Sequence, residues 1–488
     1  MFFSFSLCFI SALLLILSFP STDFYLFAWF GLVPLFFALK NKNKKQTFFL
    51  SYLWGLIFWA GILYWLVKVT FLGYLFLVLY LAIYLGLFGL ITNYGLRVTD
   101  YGLLFLPSAW VFLEFLRSNL FTGFAWVLLG YSQYKNLPLI QIADITGGYG
   151  VSFLIVLVNV AIYLVFISKE SVFRRMKRIL AVFVLLSLCS IYGYFKIHTP
   201  LSAHHSLPLR ISLIQANISP YEKWDVKFKN EIIERYVYLT QMAVRKNSSL
   251  IIWPETAFPG FWEVEEDLRT KVLDLTKEVK TGILLGAPVW EGELIYNAAI
   301  FISGEGEEIK RYRKIHLVPF GEYTPFPKIL GFLQHKFDIG DFTRGKEYAV
   351  FLHRLPCTGY PFSVLICFED IFPNLVRNFV KKGAEFLINL TEDGWYGKSS
   401  ASFQHLQALV FRAVENRRYM VRAANTGYSC VVSSLGKIVS ELKDDRGERL
   451  FIRGIHTSDI LPNSEKTIYT RFGDWFVLLC VVFLIFLL

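Results

Sequence analysis

The sequence predicts two architectures in one chain, a multi-span α-helical membrane domain and an α/β layered domain. Of the 488 residues, 55% are hydrophobic and only 18% are charged. The mean hydropathy of +0.47 is too high for an ordinary soluble protein. Apolar runs dominate residues 1–196 and return at the C-terminus, whereas residues 207–461 carry charges throughout. The chain is therefore expected to divide at these boundaries.

The N-terminal transmembrane domain, residues 1–196, contains seven apolar runs, most of them near the ~20 residues of a spanning helix. Spans are expected near 3–20, 23–39, 47–67, 71–92, 102–129, 150–167 and 178–195. The first run lacks a basic n-region, which favours a helix over a signal peptide. The fifth is long and contains Pro107 and Gly123, so a helix followed by a re-entrant piece is expected. Its Glu114 and Arg117 would pair or face a polar cavity, because charge at membrane depth is costly.

Basic loops predict the orientation of the chain in its membrane. "KNKNKK" (Lys40–Lys45) follows the second span, and "SKESVFRRMKR" (Ser168–Arg178) follows the sixth. Four spans separate them, so they lie on one side, which the positive-inside rule makes cytoplasmic. The seventh span then delivers residues 207–461 to the other side, and an eighth is expected at 472–488. We expect a multi-pass protein of the bacterial inner membrane with a periplasmic catalytic domain.

The domain at 207–461 alternates apolar strand-like runs with amphipathic helical patterns. Strands are expected at 209–218, 249–257, 282–290, 294–303, 362–370, 384–393 and 419–434. Helices are expected near 226–245, 264–279, 371–381 and 402–416. Several of the strands are continuously apolar, as in strands that are buried on both faces. This alternation is typical of an α/β layered domain.

Three chemically active side chains follow such strands. Glu255 lies in "WPETAFP", Lys314 lies in "YRKIHLVPFGEYTP", and Cys367 ends the apolar run of "VLICFED". Taken singly, each residue is far more often solvated or packed than catalytic. A thiol needs a base to become the nucleophilic thiolate, and a fixed cation favours an anionic intermediate. Their combination favours a catalytic site over three unrelated residues.

The motifs around these residues resemble those of the nitrilase (carbon–nitrogen hydrolase) superfamily. That family places a Glu–Lys–Cys triad on an α-β-β-α sandwich. With spans before and after the domain, the full chain resembles the apolipoprotein N-acyltransferase family, through Gly123–Phe153 and Asn389–Gly427 as well. The resemblance implies a nitrilase-like fold and a catalytic triad of Glu255, Lys314 and Cys367.

The resemblance also implies supporting residues. Glu322 and Glu369 resemble the secondary glutamates of the family, expected to orient Lys314 or the reacting ester. For Glu322, a solvated loop acid is an equally good interpretation of the sequence. Trp224 resembles a position near the substrate, and Asn297 is either a site residue or a structural hydrogen-bonding residue. Asp370 is expected to cap the next helix. Apolar loops at 258–262 and 325–333 would line a lipid entrance or pack against bilayer or core.

The sequence departs from the family motifs at several positions outside the triad. Phe368 replaces the usual Tyr, Ala125 replaces Pro, and "TEDGW" (Thr391–Trp395) replaces "TNDAW". These departures concern the substrate pocket rather than the presumed triad residues.

The implied reaction is a ping-pong acyl transfer. Cys367 would take an acyl chain from a phospholipid as a thioester. The α-amine of the diacylglyceryl-modified N-terminal cysteine of a lipoprotein would then accept it. The partners expected are therefore a phospholipid donor, a lipoprotein acceptor and membrane lipids.

The sequence also allows a second enzymatic function. A membrane-tethered nitrilase-type amidase or hydrolase would use the same triad, although a soluble substrate gives no reason for about eight spans. The net charge of +11 is explained by Lys and Arg residues in cytoplasmic loops, and binding of nucleic acid is not expected. No metal or organic cofactor is expected, since no ligand cluster appears. A disulfide between Cys357 and Cys430 stays open.

Overall fold

The computed structural model describes residues 2–95, 102–167, 171–199, 207–325, 327–331, 341–355 and 358–487. The chain forms two compact units, each described separately. Unit 1 contains Met1–Leu201, Ser399–Glu415 and Thr467–Leu488. Unit 2 contains Ser202–Lys398 and Asn416–Lys466. Cys357 lies outside the described residues, so its proposed pairing remains untested.

The N-terminal part of unit 1 is helical. Its helices are α1 (Phe2–Leu17), α2 (Val33–Leu39), α3 (Lys44–Ile62), α4 (Phe71–Gly95), α5 (Gly102–Asn119), α6 (Leu137–Ile140), α7 (Ala143–Thr146), α8 (Gly148–Ile167) and α9 (Val172–His198). Short 3-10 turns at Tyr25–Trp29 and Tyr64–Lys68 interrupt the second and third predicted spans. In the described residues, α4, α8 and α9 are long and apolar enough to cross a membrane. The prediction of eight spans stays a prediction.

The predicted fifth span is a helix only in its first part. Helix α5 ends at Asn119, and an irregular segment follows it. Arg117 Nη1 donates to the carbonyls of Phe124 and Trp126, both at 2.8 Å. Glu114 Oε1 accepts from the N–H of Leu129 at 2.7 Å. The two charged side chains thus provide hydrogen-bond partners for backbone groups outside the helix. Irregular backbone in an apolar environment is stable only when its polar groups have such partners.

Unit 2 contains two six-stranded sheets, ordered β12-β1-β2-β3-β4-β5 and β11-β10-β9-β8-β7-β6. The strands are β1 (Leu209–Gln215), β2 (Leu250–Ile252), β3 (Gly282–Glu291), β4 (Leu294–Ile302), β5 (Glu308–Arg313), β6 (Phe351–Leu355), β7 (Thr358–Ile366), β8 (Phe386–Thr391), β9 (Tyr419–Ala424), β10 (Cys430–Val432), β11 (Ile438–Glu441) and β12 (Gly454–Ile460). Strands β1–β3 run parallel, as do β7–β9. The remaining helices within the described residues are α10 (Lys229–Val244), α11 (Glu266–Val279), α12 (Pro327–Leu330), α13 (Pro373–Lys381), α14 (Ala401–Asn416), α15 (Ile468–Phe472) and α16 (Trp475–Leu487).

The layers of unit 2 are held by apolar faces. Helices α10 and α11 pack on the first sheet, where Tyr236 stacks on Trp253 at a centroid distance of 4.6 Å. Between the sheets, Phe301 of β4 contacts Phe351 and Phe362 of the second sheet. Helix α13 packs against β7 of that sheet. This arrangement confirms the expected α-β-β-α sandwich.

The elements of unit 2 differ from the expected ones in two respects. The run 419–434 forms two antiparallel strands, β9 and β10, rather than one. Strands β5, β6, β11 and β12 were not expected, because their mixed compositions lack a clear apolar run. All four lie at or next to sheet edges, where one or both faces are less buried.

Residues Ser399–Glu415, expected within the 207–461 domain, belong to unit 1. Helix α14 of this segment presents Gln404, whose Oε1 accepts from the indoles of Trp65 and Trp126 at 3.0 and 2.9 Å. Its Nε2 donates to the carbonyl of Ile62 at 3.1 Å. A buried amide with donors and acceptors satisfied stabilises packing of this segment within unit 1.

Candidate active site

Cys367 lies directly after β7, at the start of a 3-10 turn that spans Cys367–Ile371. Its φ of 55° is in the left-handed region, which is uncommon for a residue with a side chain. The Cys367 carbonyl accepts from Asn389 Nδ2 at 2.7 Å, and this bond helps to hold the strained turn. The residue is only 7% exposed. A rigid strand followed by a sharp turn presents the thiol in one orientation.

Glu255 follows β2 and is held through both oxygens of its carboxylate. Oε1 accepts from Asn297 Nδ2 at 2.8 Å and lies 3.5 Å from Lys314 Nζ. Oε2 accepts from the N–H of Glu392 at 2.9 Å. The following residue, Thr256, has a φ of 44°, so the base also sits on a strained turn. The carboxylate is thereby oriented before any substrate arrives.

Lys314 follows β5, and its side chain is almost completely buried. Its Nζ lies 3.0 Å from Glu322 Oε1 as well as 3.5 Å from Glu255 Oε1. The backbone is fixed on both sides, since its N–H donates to the Asn297 carbonyl and its carbonyl accepts from Gly345. A buried ammonium between two carboxylates is a fixed positive charge.

The three predicted triad residues share one electrostatic environment in unit 2. Burial raises the pKa of the Cys367 thiol well above its ordinary value; Glu255 adds to this effect and Lys314 opposes it. Burial also raises the pKa of Glu255, against the influence of Lys314. Burial alone would lower the pKa of Lys314, but the carboxylates of Glu322 and Glu255 outweigh it and raise that pKa. The resting thiol is therefore protonated, and its activation needs a base.

Asn297 and Glu322 join the triad residues through hydrogen bonds. Asn297 Nδ2 donates to Glu322 Oε1 at 2.9 Å, in addition to its bond to Glu255. Glu322 Oε2 accepts from the N–H of Val318 at 2.7 Å, which holds the carboxylate beside Lys314. The expectation that Glu322 orients Lys314 agrees with this geometry.

Glu369 connects the backbone at Lys314 to the backbone at Cys367. Its Oε1 accepts from the N–H groups of Ile315 and His316 at 2.8 and 2.9 Å. Its Oε2 accepts from the N–H of Ile366 at 2.8 Å. Tyr312 donates its hydroxyl to the same carboxylate. Glu369 is thus hydrogen-bonded to the backbone beside both Lys314 and Cys367, and its charge also contributes to the raised pKa of Lys314.

Asp370 does not cap the next helix, contrary to expectation. Helix α13 begins at Pro373, and its N-cap residue is Phe372. The Asp370 carboxylate instead lies 3.2 Å from Arg422 Nη1. Arg422 supplies the opposite charge that a buried carboxylate needs.

Arg422 extends this contact into a buried network behind the nucleophile. It also binds Asp393, with Nη2 3.0 Å from Oδ2, and donates to Asn389 Oδ1 at 2.9 Å. Because Asn389 donates to the Cys367 carbonyl, this network stabilises the turn that carries the nucleophile.

Trp224 lies on an exposed segment of unit 2 and is 47% exposed. Other large apolar side chains exposed on this unit include Tyr221, Val226, Phe320 and Trp395. Tyr221 and Trp395 contact each other at a centroid distance of 6.3 Å.

For the loop at 258–262, which was expected either to line a lipid entrance or to pack against bilayer or core, the structure shows core packing of its buried aromatic residues. Phe258 and Trp262 are each only 1% exposed. The loop at 325–333 is only partly within the described residues.

Sequence reasoning missed two charged residues next to Glu255. Lys223 and Glu392 form a buried ion pair with Nζ 2.7 Å from Oε2. A signal for Glu392 was present, because "TEDGW" departs there from the motif that the sequence resembles. Nothing comparable marked Lys223, since a lysine in a charged segment is usually solvated. Within the described residues, no group of three or more His, Cys, Asp or Glu side chains is arranged to hold a metal ion.

Comparisons with known proteins agree with this architecture. The carbon–nitrogen hydrolase family model matches residues 210–461, and the model of the apolipoprotein N-acyltransferase N-terminal domain matches residues 11–161. An apolipoprotein N-acyltransferase of Geobacter metallireducens is 39% identical over 97% of this chain and 92% of that protein. One of Chlorobaculum tepidum is 31% identical, over 95% of this chain and 92% of that protein.

Solved structures with similarity to the chain include an amidase of the nitrilase superfamily from Nesterenkonia AN1. It is 20% identical, with a TM-score of 0.41, and the match covers 56% of this chain and 95% of that one.

Proposed function

Because the chain belongs to the apolipoprotein N-acyltransferase family, we propose that it transfers an acyl chain from a membrane phospholipid to lipoproteins. The acceptor would be the α-amino group of their diacylglyceryl-modified N-terminal cysteine. The acyl chain would pass through a thioester on Cys367. The observation that carries this proposal is geometric: Lys314 Nζ lies 3.5 Å from Glu255 Oε1, and Glu369 joins the backbone next to Lys314 to the backbone next to Cys367.

In the first half-reaction, Cys367 Sγ attacks the ester carbonyl of the phospholipid. Glu255 takes the thiol proton, which suits a carboxylate whose pKa lies above its ordinary value. The carbonyl oxygen becomes an oxyanion, and the ammonium of Lys314 stabilises it. The carbon–oxygen bond then breaks, the leaving alkoxide receives the proton from Glu255, and a lysophospholipid departs. The product on the enzyme is a thioester.

In the second half-reaction, the neutral α-amine of the acceptor attacks the thioester carbonyl. Glu255 accepts a proton from the attacking nitrogen, and Lys314 again faces the oxyanion. Breaking the carbon–sulfur bond forms the amide and releases the Cys367 thiolate, which recovers a proton from Glu255. The burial of Cys367 supports this sequence, because the thioester must survive until the amine arrives.

The setting of the reaction is a bacterial membrane. The apolar helices α4, α8 and α9 and the family's N-terminal domain support a membrane protein. We place the catalytic unit on the periplasmic side of the inner membrane, as the basic loops predict. Acyl donors would then be phospholipids of the outer leaflet, and the exposed Trp224 and Tyr221 are candidates for contact with lipid or acceptor.

An amidase acting on small soluble amides is less well supported. It would use the same three residues, but it gives no role to the N-terminal domain that the family model matches at residues 11–161. In such an enzyme, water rather than a lipoprotein amine would discharge the acyl group.

Mass spectrometry of the protein and of its proteolytic peptides, after incubation with phospholipid, tests the proposal. Wild type should gain one acyl-sized mass on the Cys367 peptide, removable by hydroxylamine and discharged by a diacylglyceryl-cysteine peptide. Cys367→Ser should give no hydroxylamine-sensitive adduct. Discharge by water at the same rate with and without the peptide would favour the amidase. Transfer to the peptide by Cys367→Ser at the wild-type rate would eliminate the thioester route.

A further inference from the structure

The buried ion pair of Lys223 and Glu392 holds the base Glu255 from two directions. Lys223 Nζ donates to the backbone carbonyl of Glu255 at 3.1 Å. The N–H of Glu392 donates to the carboxylate of Glu255 at 2.9 Å. Between these two contacts, Nζ lies 2.7 Å from Glu392 Oε2. Both the backbone and the carboxylate of the base therefore belong to one closed loop of hydrogen bonds.

We propose that Lys223 and Glu392 are positioning residues for acyl transfer, a charge pair that fixes the orientation of Glu255 and balances the field at its carboxylate. This inference rests on the proposed acyl-enzyme reaction, because it assigns the pair to the base of that reaction. It concerns residues that were not part of the predicted site.

The hydrogen bonds of Lys223 exclude a direct role in binding substrate. An ammonium group has three N–H donors. Those of Lys223 reach Glu392 Oε2, the Glu255 carbonyl and Thr256 Oγ1, the last at 2.9 Å. The lysine is only 2% exposed. With its three donors engaged by protein oxygens, Lys223 acts on the reaction through Glu255 and Thr256.

The contacts of Lys223 fall at the strained part of the turn. Thr256 has a φ of 44°, a conformation that a β-branched residue adopts only when its surroundings enforce it. Lys223 donates hydrogen bonds to the Glu255 carbonyl, which precedes Thr256, and to the hydroxyl of Thr256. The lysine thereby fixes the direction in which the Glu255 side chain leaves the backbone.

Glu392 is tied on its other side to the second sheet. Its Oε2 accepts from Asn425 Nδ2 at 2.6 Å, and its Oε1 accepts from the N–H of Gly394 at 2.9 Å. Asn425 follows β9, and Glu392 follows β8. The pair therefore connects the base, which follows a strand of the first sheet, to the ends of two strands of the second sheet.

The charges around Glu255 determine how the pair affects its protonation. Besides Lys223 and Glu392, the titratable or charged groups coupled to this carboxylate include Lys314, Glu322, Cys367 and Tyr396. Lys314 and Lys223 favour the ionised carboxylate, whereas Glu322 disfavours it. Removing the Lys223 charge should make Glu255 harder to ionise, and removing the Glu392 charge should make it easier.

The experiment measures single-turnover acylation of Cys367 by phospholipid across pH, in the full-length enzyme. Acylation needs Glu255 as a carboxylate, so its rate rises with pH through an acid limb. In Lys223→Met this limb should move up by about one pH unit, the size expected for losing a nearby opposite charge. In Glu392→Gln the acid limb should move down. Lys223 keeps its hydrogen bonds to oxygen atoms, but its positive charge is no longer balanced by Glu392 and so favours the ionised form of Glu255 more strongly.

Two controls isolate the effect. Lys223→Arg keeps the cation and should leave the acid limb within about 0.3 pH units of wild type, far less than the shift for a lost charge. Lys227→Met removes an exposed lysine of the same segment and should leave the limb unchanged.

The outcomes separate this inference from the proposed function. If wild type is acylated, but Lys223→Met and Glu392→Gln only lower the fraction of active enzyme and leave the acid limb in place, the pair is only structural and the inference is wrong. Shifts of Lys223→Met and Glu392→Gln in the same direction would also overturn it. If Lys223→Met does not fold, the direction of the Glu392→Gln shift decides alone. If wild type itself forms no thioester, it is the proposed function that fails.

Discussion

Asn297 Nδ2 lies 2.8 Å from Glu255 Oε1, and the same nitrogen lies 2.9 Å from Glu322 Oε1. One amide group therefore bridges two carboxylates that would otherwise repel each other across Lys314. Both carboxylates stay in place because donors separate them, which lets one serve as base and the other hold the lysine.

Asn297→Ala removes both of these hydrogen bonds. We expect the rate of Cys367 acylation to fall about 100-fold, the low end of what a positioned base contributes, because Glu255 loses one of its fixed donors. Single-turnover acylation with phospholipid measures this. Asn463→Ala is a matched control, since this buried amide binds the Arg417 carbonyl away from the site. A wild-type acylation rate in Asn297→Ala would show that the bridge is dispensable.

Glu322→Gln should make the enzyme sensitive to alkali. The carboxylates of Glu322 and Glu255 keep the pKa of Lys314 raised against the effect of burial. Without Glu322, that pKa falls, so Lys314 loses its proton and its catalytic charge at lower pH. We expect the acylation rate of the variant to decline in alkali at a lower pH than that of wild type.

Glu347→Gln is the control for this prediction, because Glu347 forms an exposed ion pair with Lys310. Its alkaline profile should match wild type. Identical profiles for Glu322→Gln and wild type would mean that Glu322 does not maintain the charge of Lys314.

His353 should weaken the fold in acid. Burial lowers its pKa from 6.5 to about 4. The unfolded chain therefore binds a proton below about pH 6.5 that the folded protein refuses until about pH 4, so stability falls as pH decreases through this window. At pH 5 the loss is about 2 kcal/mol relative to neutral pH.

His353→Leu should remove most of this acid-dependent loss. Unfolding of wild type and variant is followed by denaturant titration at pH 7.5 and pH 5, with the pH 7.5 difference as the reference for packing changes. Equal acid sensitivity in both proteins would assign the loss to other groups.

Arg422→Met should be strongly destabilising. It removes the Arg422 cation from the buried carboxylates of Asp370 and Asp393, and breaking a buried pair in this way costs about 3–5 kcal/mol. The denaturant midpoint of unit 2 should fall accordingly. Arg210→Met removes an arginine whose pair with Asp459 is about half exposed on both sides, and it should change the midpoint little. Equal effects of the two substitutions would contradict the structural role of Arg422.

Much of this architecture follows from local patterns. The largely apolar runs of β3 and β8 predict buried strands, and the spacing of apolar residues in α10 and α11 predicts amphipathic helices, because periodicity is a property of neighbouring residues. Edge strands such as β6 and β11 lack this signal, since their faces are only partly buried. Their identity depends on the strand beside them, which the local sequence does not contain.

The sequence by itself determined the division into an apolar helical part and an α/β part, and it determined the identity of Glu255, Lys314 and Cys367 as candidates. Tertiary structure alone decided which groups surround them. Lys223 and Glu392 are 169 residues apart, and neither lies in a pattern that predicts the other. Their pairing arises because the strand ends of two sheets bring distant chain segments together, and burial then requires each charge to find a partner.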